Sequence, residues 1–287
     1  MNEIIQFFQP WFQPVVMVFT ITSLLSMGLQ INIPQVLKKL SNPKSLILIF
    51  LWGWVLGPVL SFLIVKIIPL AEPYVIVMYI ASLAPCAPFL APMIGKARGD
   101  VAFAGAFIPL TVVGTVVFLP LVAPMLIKGI SINAMALAKP LIITMLVPLF
   151  IGAIIKTYAE KVADKIFKPV KKLAGLSTLL TIILCFLLYW ELMISTAGSF
   201  ALLSMTIFMV VIASIAYFFG FGLKQNERSV MSLGIGTRNI AAVLIGVLAI
   251  PNGDPKMLAM TIIWTLWSFI LAFIYARILV KRALKPA

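Results

Sequence analysis

Nine apolar runs follow one another along this chain, each close to the length that crosses a lipid bilayer. They cover approximately 11–29, 45–68, 73–95, 101–127, 137–156, 173–195, 199–222, 229–250 and 257–280. A helix needs about 20 apolar residues to traverse the roughly 30 Å hydrocarbon core. Within that core only helices and closed barrels can satisfy their own backbone. The composition agrees, because 63% of residues are hydrophobic and only 10% charged, against about 25% charged in a soluble domain. The 287 residues leave no room for a soluble domain beside nine spans. The fold class expected is therefore an all-α polytopic membrane protein with nine transmembrane helices, forming one membrane domain over residues 1–287.

The formal net charge is +14, and the positions of the cations decide what it means. With the N-terminus outside, the inner connections collect Lys38, Lys39 and Lys44, then Lys96 and Arg98, then Lys156 through Lys172, then Lys224 and Arg228, and finally the tail from Arg277 to Lys285. The outer connections hold only Lys66, Lys128, Lys139 and Lys256. This is the distribution of a cytoplasmic face rich in Lys and Arg, and it places the C-terminus inside. The charge is explained by topology and by attraction to an anionic inner leaflet, so no nucleic-acid partner is expected. The stretch "KTYAEKVADKIFKPVKKLAG" reads as an amphipathic connector on the cytoplasmic surface. A bacterial cytoplasmic (inner) membrane and a monomer are the expected setting.

The absence of histidine removes imidazole bases and most zinc sites, and no Gly-Lys-Ser/Thr loop for phosphate is present. Neither an enzyme, nor a metal site, nor a cofactor is expected. Cys86 and Cys185 both fall inside apolar runs and read as small buried hydrophobes.

Two of the runs carry the means to break a helix. The third contains "SLAPCAPFLAPMIG" with Pro85, Pro88 and Pro92, and each proline removes a helical hydrogen bond. The eighth contains "LGIGTRN", where Gly234 and Gly236 weaken the helix just ahead of Arg238 and Asn239. Unwound backbone at bilayer depth is tolerated only inside protein or beside a watery cavity, so paired breaks point to a substrate site. Spans five to nine form a unit whose fourth helix is broken. Spans one to four read as the same unit without its first helix. An odd offset of five reverses the direction of crossing, which is an inverted repeat with two crossed broken helices.

The segments "SMGLQI", "GPVLSFLI", "LAPCAP" followed by "GKARGDVAFAGAF", and "GIGTRNIAA" resemble the bile acid:sodium symporter family over nearly the whole chain. The resemblance implies secondary transport by alternating access, in which a core domain moves against a panel domain. Carried onto this chain, the core takes spans within about 45–127 and 199–280, and the panel takes about 11–29 and 137–195. The family's usual Glu-x-Gly-x-Gln-Asn reads here as Gly234, Gly236, Arg238 and Asn239. Its Pro-Gly-Gly-x-x-Ser-Asn becomes Pro85, Cys86, Ala87, Leu90 and Ala91, and a family Gln becomes Gly53. The family's sodium sites are not assembled from these side chains.

An arginine at bilayer depth costs about 2.5–3.5 kcal/mol, so Arg238 needs a reason to be kept. Family members hold one carboxylate and two sodium ions at the crossing, a net single positive charge that Arg238 supplies alone. It is expected to act as a tethered stand-in for the ions, facing an organic anion with Asn239 and Thr237. Ser82, Thr111 and Thr115 complete the expected substrate-binding set, although a Thr in a membrane helix often bonds its own backbone. Glu191 is the one acid available to pair with Arg238 inside a span, or else it sits at the interface beside Tyr189 and Trp190. Trp264 and Trp267 are cavity-lining or packing residues. The function expected is secondary transport of a small organic anion across the lipid bilayer. A sodium-coupled symporter holding its ion on backbone carbonyls is the alternative, and a non-transporting scaffold or sensor is the alternative of another class.

Overall fold

The computed structural model describes residues 2–39, 42–86, 90–127 and 133–283, and Pro88 lies outside them. The helices are α1 (Asn2–Gly28), α2 (Ile33–Lys39), α3 (Pro43–Phe50), α4 (Gly57–Ile67), α5 (Glu72–Ser82), α6 (Leu90–Lys96) and α7 (Val101–Leu126). They continue as α8 (Ala134–Leu141), α9 (Val147–Tyr158), α10 (Glu160–Ala197), α11 (Ala201–Phe218), α12 (Gln225–Gly236), α13 (Ile240–Leu248) and α14 (Pro255–Ala283). Two π-helical turns, Leu51–Leu56 and Ile142–Leu146, join α3 to α4 and α8 to α9. Each turn runs into a proline, Pro58 or Pro148, whose missing N–H favours a widened turn. Helix starts are written in side chains: Asn42 accepts from the Lys44 N–H at 3.1 Å, Asp100 from Phe103 at 2.8 Å and Asn133 from Met135 at 2.8 Å.

Among the described residues, seven helical stretches are long and apolar enough to cross a membrane. They are Ile5–Gly28, Pro43–Ile67, Val101–Leu126, Ala134–Tyr158, Glu160–Thr196, Ala201–Phe218 and Pro255–Arg282. The expected third and eighth spans are instead divided into α5 with α6 and α12 with α13. These pieces have 11, 7, 12 and 9 residues, each short of the roughly 20 needed to cross. The chain is thus a multi-pass, all-α membrane protein with two interrupted segments.

The connector expected on the cytoplasmic surface has a different form. After α9 ends at Tyr158, a single non-helical residue, Ala159, leads straight into the 38-residue α10. That helix is about 57 Å long, well beyond the roughly 30 Å hydrocarbon core. Its basic first turns, Lys161 to Lys172, are an extension of a spanning helix rather than a separate surface element.

α1 packs along α9 and α10, α11 along α12, and α10 along α14. The main core gathers Met78, Ile80, Leu83, Phe107, Leu119 and Phe208, all fully buried. A smaller apolar cluster joins Phe12 and Val16 of α1 and Leu184 of α10 to Leu244 of α13 and Ile262 of α14. Large apolar side chains such as Phe62, Leu121, Phe150 and Ile274 stand exposed on the outer faces, as hydrocarbon contact requires.

Candidate functional site

The two interruptions meet each other. α5 ends at Ser82 and the chain continues through Ala84, Pro85 and Cys86, whereas α12 ends at Gly236 and continues through Thr237 and Arg238 to Asn239, the N-cap of α13. Pro85 and Arg238 form an antiparallel bridge. The Cys86 N–H donates to the carbonyls of Thr237 at 2.9 Å and Gly234 at 3.0 Å, and the Asn239 N–H donates to Ala84 at 2.8 Å. Backbone groups released by each break are therefore taken up by the other, which resolves the accounting problem of unwound backbone in an apolar setting. Cys86 reaches this geometry at φ +71°, in the left-handed region that disfavours any residue with a Cβ.

Arg238 is the centre of the crossing and is only 4% exposed. One terminal guanidinium nitrogen donates to the carbonyls of Ala81 at 3.2 Å and Ser82 at 3.4 Å, and the other donates to the carbonyl of Ile235. Ala81 and Ser82 close α5, and Ile235 lies in the last turn of α12. The cation thus sits on two helix C-termini, each equivalent to roughly −0.5 charge. Together they offset about one positive charge without a carboxylate. The Phe208 ring lies 5.0 Å from the guanidinium carbon, a cation–π contact worth about 2 kcal/mol when desolvated. Among the described residues no acid pairs with Arg238. Glu191 is exposed on α10.

Three buried donors in this region lack a partner: Nε of Arg238, Nδ2 of Asn239 and Nε1 of Trp264. Arg238 and Trp264 both line a cavity of about 10 Å³, together with Thr261, Thr265 and Ser268. That is the room of roughly one water. An organic anion does not fit beside Arg238 in this arrangement.

The remaining expected residues separate. Asn239 is fully buried, and its Oδ1 accepts the Ala242 N–H at 3.4 Å, so it caps α13 while its amide nitrogen stays unused. Thr237 lies in the break and donates its hydroxyl to Leu233 at 2.9 Å. Ser82, Thr111 and Thr115 are fully buried and donate to Tyr79, Ile108 and Thr111 carbonyls respectively. Of these three, Ser82 meets Arg238 through its carbonyl. Pro85 lies in the first break, and Pro92 falls in the first turn of α6, where a proline is tolerated. Gly236 is the last residue of α12 and Gly234 lies two residues inside it, so the second break itself falls on Thr237 and Arg238. Trp264 lines the small cavity, whereas Trp267 donates its indole N–H to Thr206 at 2.7 Å.

Gly234 stands where the resemblance implies a carboxylate. A Cβ built there would lie 2.0 Å from the ring of Phe107, far inside contact distance. Phe107 occupies the volume that a side chain at 234 would need. At Gly53 a Cβ would meet only Pro85 at 3.4 Å and Ile235 at 3.6 Å, which is ordinary contact. Sequence reasoning did not find Phe107, Phe208 or the carbonyls of Ala81, Ser82 and Ile235. The carbonyls leave no trace in side-chain identity, and an apolar ring in an apolar helix gives no signal of its own.

Residues 15–196 match the sodium bile acid symporter family, a stretch that ends before Arg238. The chain is 23% identical over 229 residues to the probable sodium/metabolite cotransporter BASS3, chloroplastic, of Arabidopsis thaliana, covering 79% of this chain and 53% of that protein. It is 23% identical over 235 residues to the protein of the same name from Oryza sativa subsp. japonica, covering 79% and 54%. The chain spans about half the length of the curated relatives it matches. With the match running over most of the apolar helices and into the first interrupted segment, the chain belongs to the sodium bile acid symporter family, whose members are membrane transporters and not enzymes.

Proposed function

We propose that this protein is a secondary transporter of a small organic anion, working by alternating access, in which Arg238 serves as a fixed cation where related proteins use sodium. The observation that carries this reading is the seat of the guanidinium on the carbonyls of Ala81, Ser82 and Ile235. A free cation bound at two helix C-termini would use the same carbonyls, and here a tethered one already holds them. Counting α5 with α6 and α12 with α13 as one crossing each gives nine crossings with the N-terminus outside and the tail cytoplasmic. The two interrupted segments then run in opposite directions as an inverted repeat. α1, α9 and α10, which pack together, form the panel with α8, which runs on into α9, and the rest forms the core. The smaller apolar cluster between α1 with α10 and α13 with α14 is the surface along which the two slide.

Because the cavity at Arg238 holds about one water, substrate binding requires the panel to move away from the crossing. The unused donors of Arg238, Asn239 and Trp264 are then the groups that meet a carboxylate or sulfonate. The setting proposed is a bacterial cytoplasmic membrane with the protein as a monomer.

The second reading is sodium coupling, favoured by the names of both relatives. Melting temperature in detergent, with sodium exchanged for potassium at constant ionic strength, separates the two. A bound ion stabilises by about 2.7 kcal/mol at one hundred times its Kd. Indifference to the exchange supports the tethered cation, and a sodium-specific rise overturns it.

A further inference from the structure

Outside the enclosed crossing, a second and larger cavity opens between α11, α12 and α14. It measures about 160 Å³ and reaches Gly236 and Thr237 at the end of α12. Three hydroxyls line it, and all three have partners: Ser232 donates to the Ala213 carbonyl at 2.7 Å, Thr237 to Leu233 at 2.9 Å, and Tyr275 pairs with Ser214 at 3.1 Å. The rest of the lining is aliphatic or Met. A polar ligand would find few free groups there. Apolar cavities of about 150 Å³ stay dry and take up apolar molecules.

The surroundings identify the occupant. Val210, Ile274 and Ile278 line the pocket and are 43%, 50% and 42% exposed. They belong to the spanning stretches Ala201–Phe218 and Pro255–Arg282, so the mouth opens onto hydrocarbon rather than water. We propose that this pocket is a binding site for one acyl chain of a bilayer phospholipid, held through its methylene groups with the headgroup left at the interface. The chain packs against Gly236 and Thr237, whose carbonyl accepts the Cys86 N–H, so lipid occupancy bears directly on the backbone that closes the crossing. The proposal is independent of which solute is carried and of how transport is coupled.

Native mass spectrometry of the full chain in a short-chain detergent tests it, with palmitoyl-oleoyl phosphatidylglycerol, palmitoyl-oleoyl phosphatidylcholine and free oleate as probes. The expected result is saturable binding of one molecule of either phospholipid, with affinities for the two headgroups within threefold. The double variant Val210→Phe, Ile274→Phe closes the mouth from lipid-exposed positions and should weaken that binding at least tenfold. Leu121→Phe, at a 59% exposed position on α7, should leave it unchanged. A melting curve confirms that each variant is folded, and Ala272→Phe, which fills the pocket from its wall, repeats the test should the double variant melt early. Binding set by headgroup charge, binding that survives both pocket variants, or retention of oleate with exclusion of both phospholipids would each overturn the assignment.

Discussion

The Cys86 N–H reaches the Thr237 carbonyl at 2.9 Å from a backbone φ of +71°. The contact between the two interruptions therefore depends on a conformation that a cysteine adopts at a cost of order 1–3 kcal/mol. The resemblance implies glycine at this position, the one residue free of that cost. Cys86→Gly should fold and keep its stability within about 1 kcal/mol of the parent, relief of strain offsetting lost side-chain burial. Cys86→Val places a β-branched residue at positive φ and should lose about 1–3 kcal/mol. Denaturation in detergent checks both, and equal losses in the two variants would show that strain plays no part.

Arg238 bonds the carbonyls of Ala81, Ser82 and Ile235, and among the described residues no acid attends it. Arg238→Gln removes the charge that two helix ends share, and a stability loss of about 2–4 kcal/mol is expected from buried acceptors left without a donor. The same variant should become sensitive to sodium, since the vacated carbonyls form a cation site. Arg238→Lys keeps the charge but loses the rigid fork, so it should lie between the parent and Arg238→Gln and stay insensitive to sodium. Melting curves in sodium and in potassium decide the matter. A sodium-insensitive Arg238→Gln protein of parental stability would show that the carbonyl seat has no role in holding a cation.

Gly234 and Phe107 exchange volume, with a Cβ at 234 falling 2.0 Å from the ring. Gly234→Glu alone should therefore fail to accumulate, or melt well below the parent, because the fully buried Phe107 has nowhere to go. Gly234→Glu with Phe107→Ala makes the space and places a carboxylate near Arg238. Recovery of folded protein in the double variant is the expected result, read from monodisperse elution in detergent. A double variant as poor as Gly234→Glu would mean that charge rather than overlap is what position 234 excludes.

Much of this architecture is legible in the sequence because bilayer crossing leaves a coarse signal. Apolar length marks the seven stretches long enough to cross, and Pro85 with the Gly234 to Asn239 stretch marks where two further segments are interrupted. The extent of α10 is less legible, because Lys161 to Lys172 reads equally as a surface element or as a helix continued into water, and only the single residue Ala159 separates it from α9. At the site, Arg238 announces itself by its cost, but its partners are carbonyls, which every residue has. Phe208 beneath the guanidinium and Phe107 against Gly234 are apolar residues among many, and their importance arises only from the packing of distant helices. The hydroxyls of Ser82, Thr111 and Thr115 illustrate the converse. They are visible in sequence, yet each donates within its own helix.

On the proposed reading, a direction of transport follows from the charge of the crossing. Arg238 is fixed to backbone at both interruptions, so its charge moves through the field only as far as the core does. No histidine exists in the chain, and among the described residues no acid pairs with Arg238, so on the proposed reading Arg238 alone meets the charge of the substrate. A monovalent anion carried without a coupling ion would cross with its own charge uncompensated. An inside-negative potential drives it outward by about 2.3 kcal/mol per 100 mV, which favours efflux or anion exchange over uptake. In proteoliposomes with the protein oriented as in the cell, a valinomycin-imposed inside-negative potential should slow uptake of a transported carboxylate and speed its efflux. Uptake that is unaffected by potential would show that a compensating charge moves with the anion. Uptake accelerated by an inside-negative potential only in the presence of sodium would replace the tethered cation with an ion-coupled cycle.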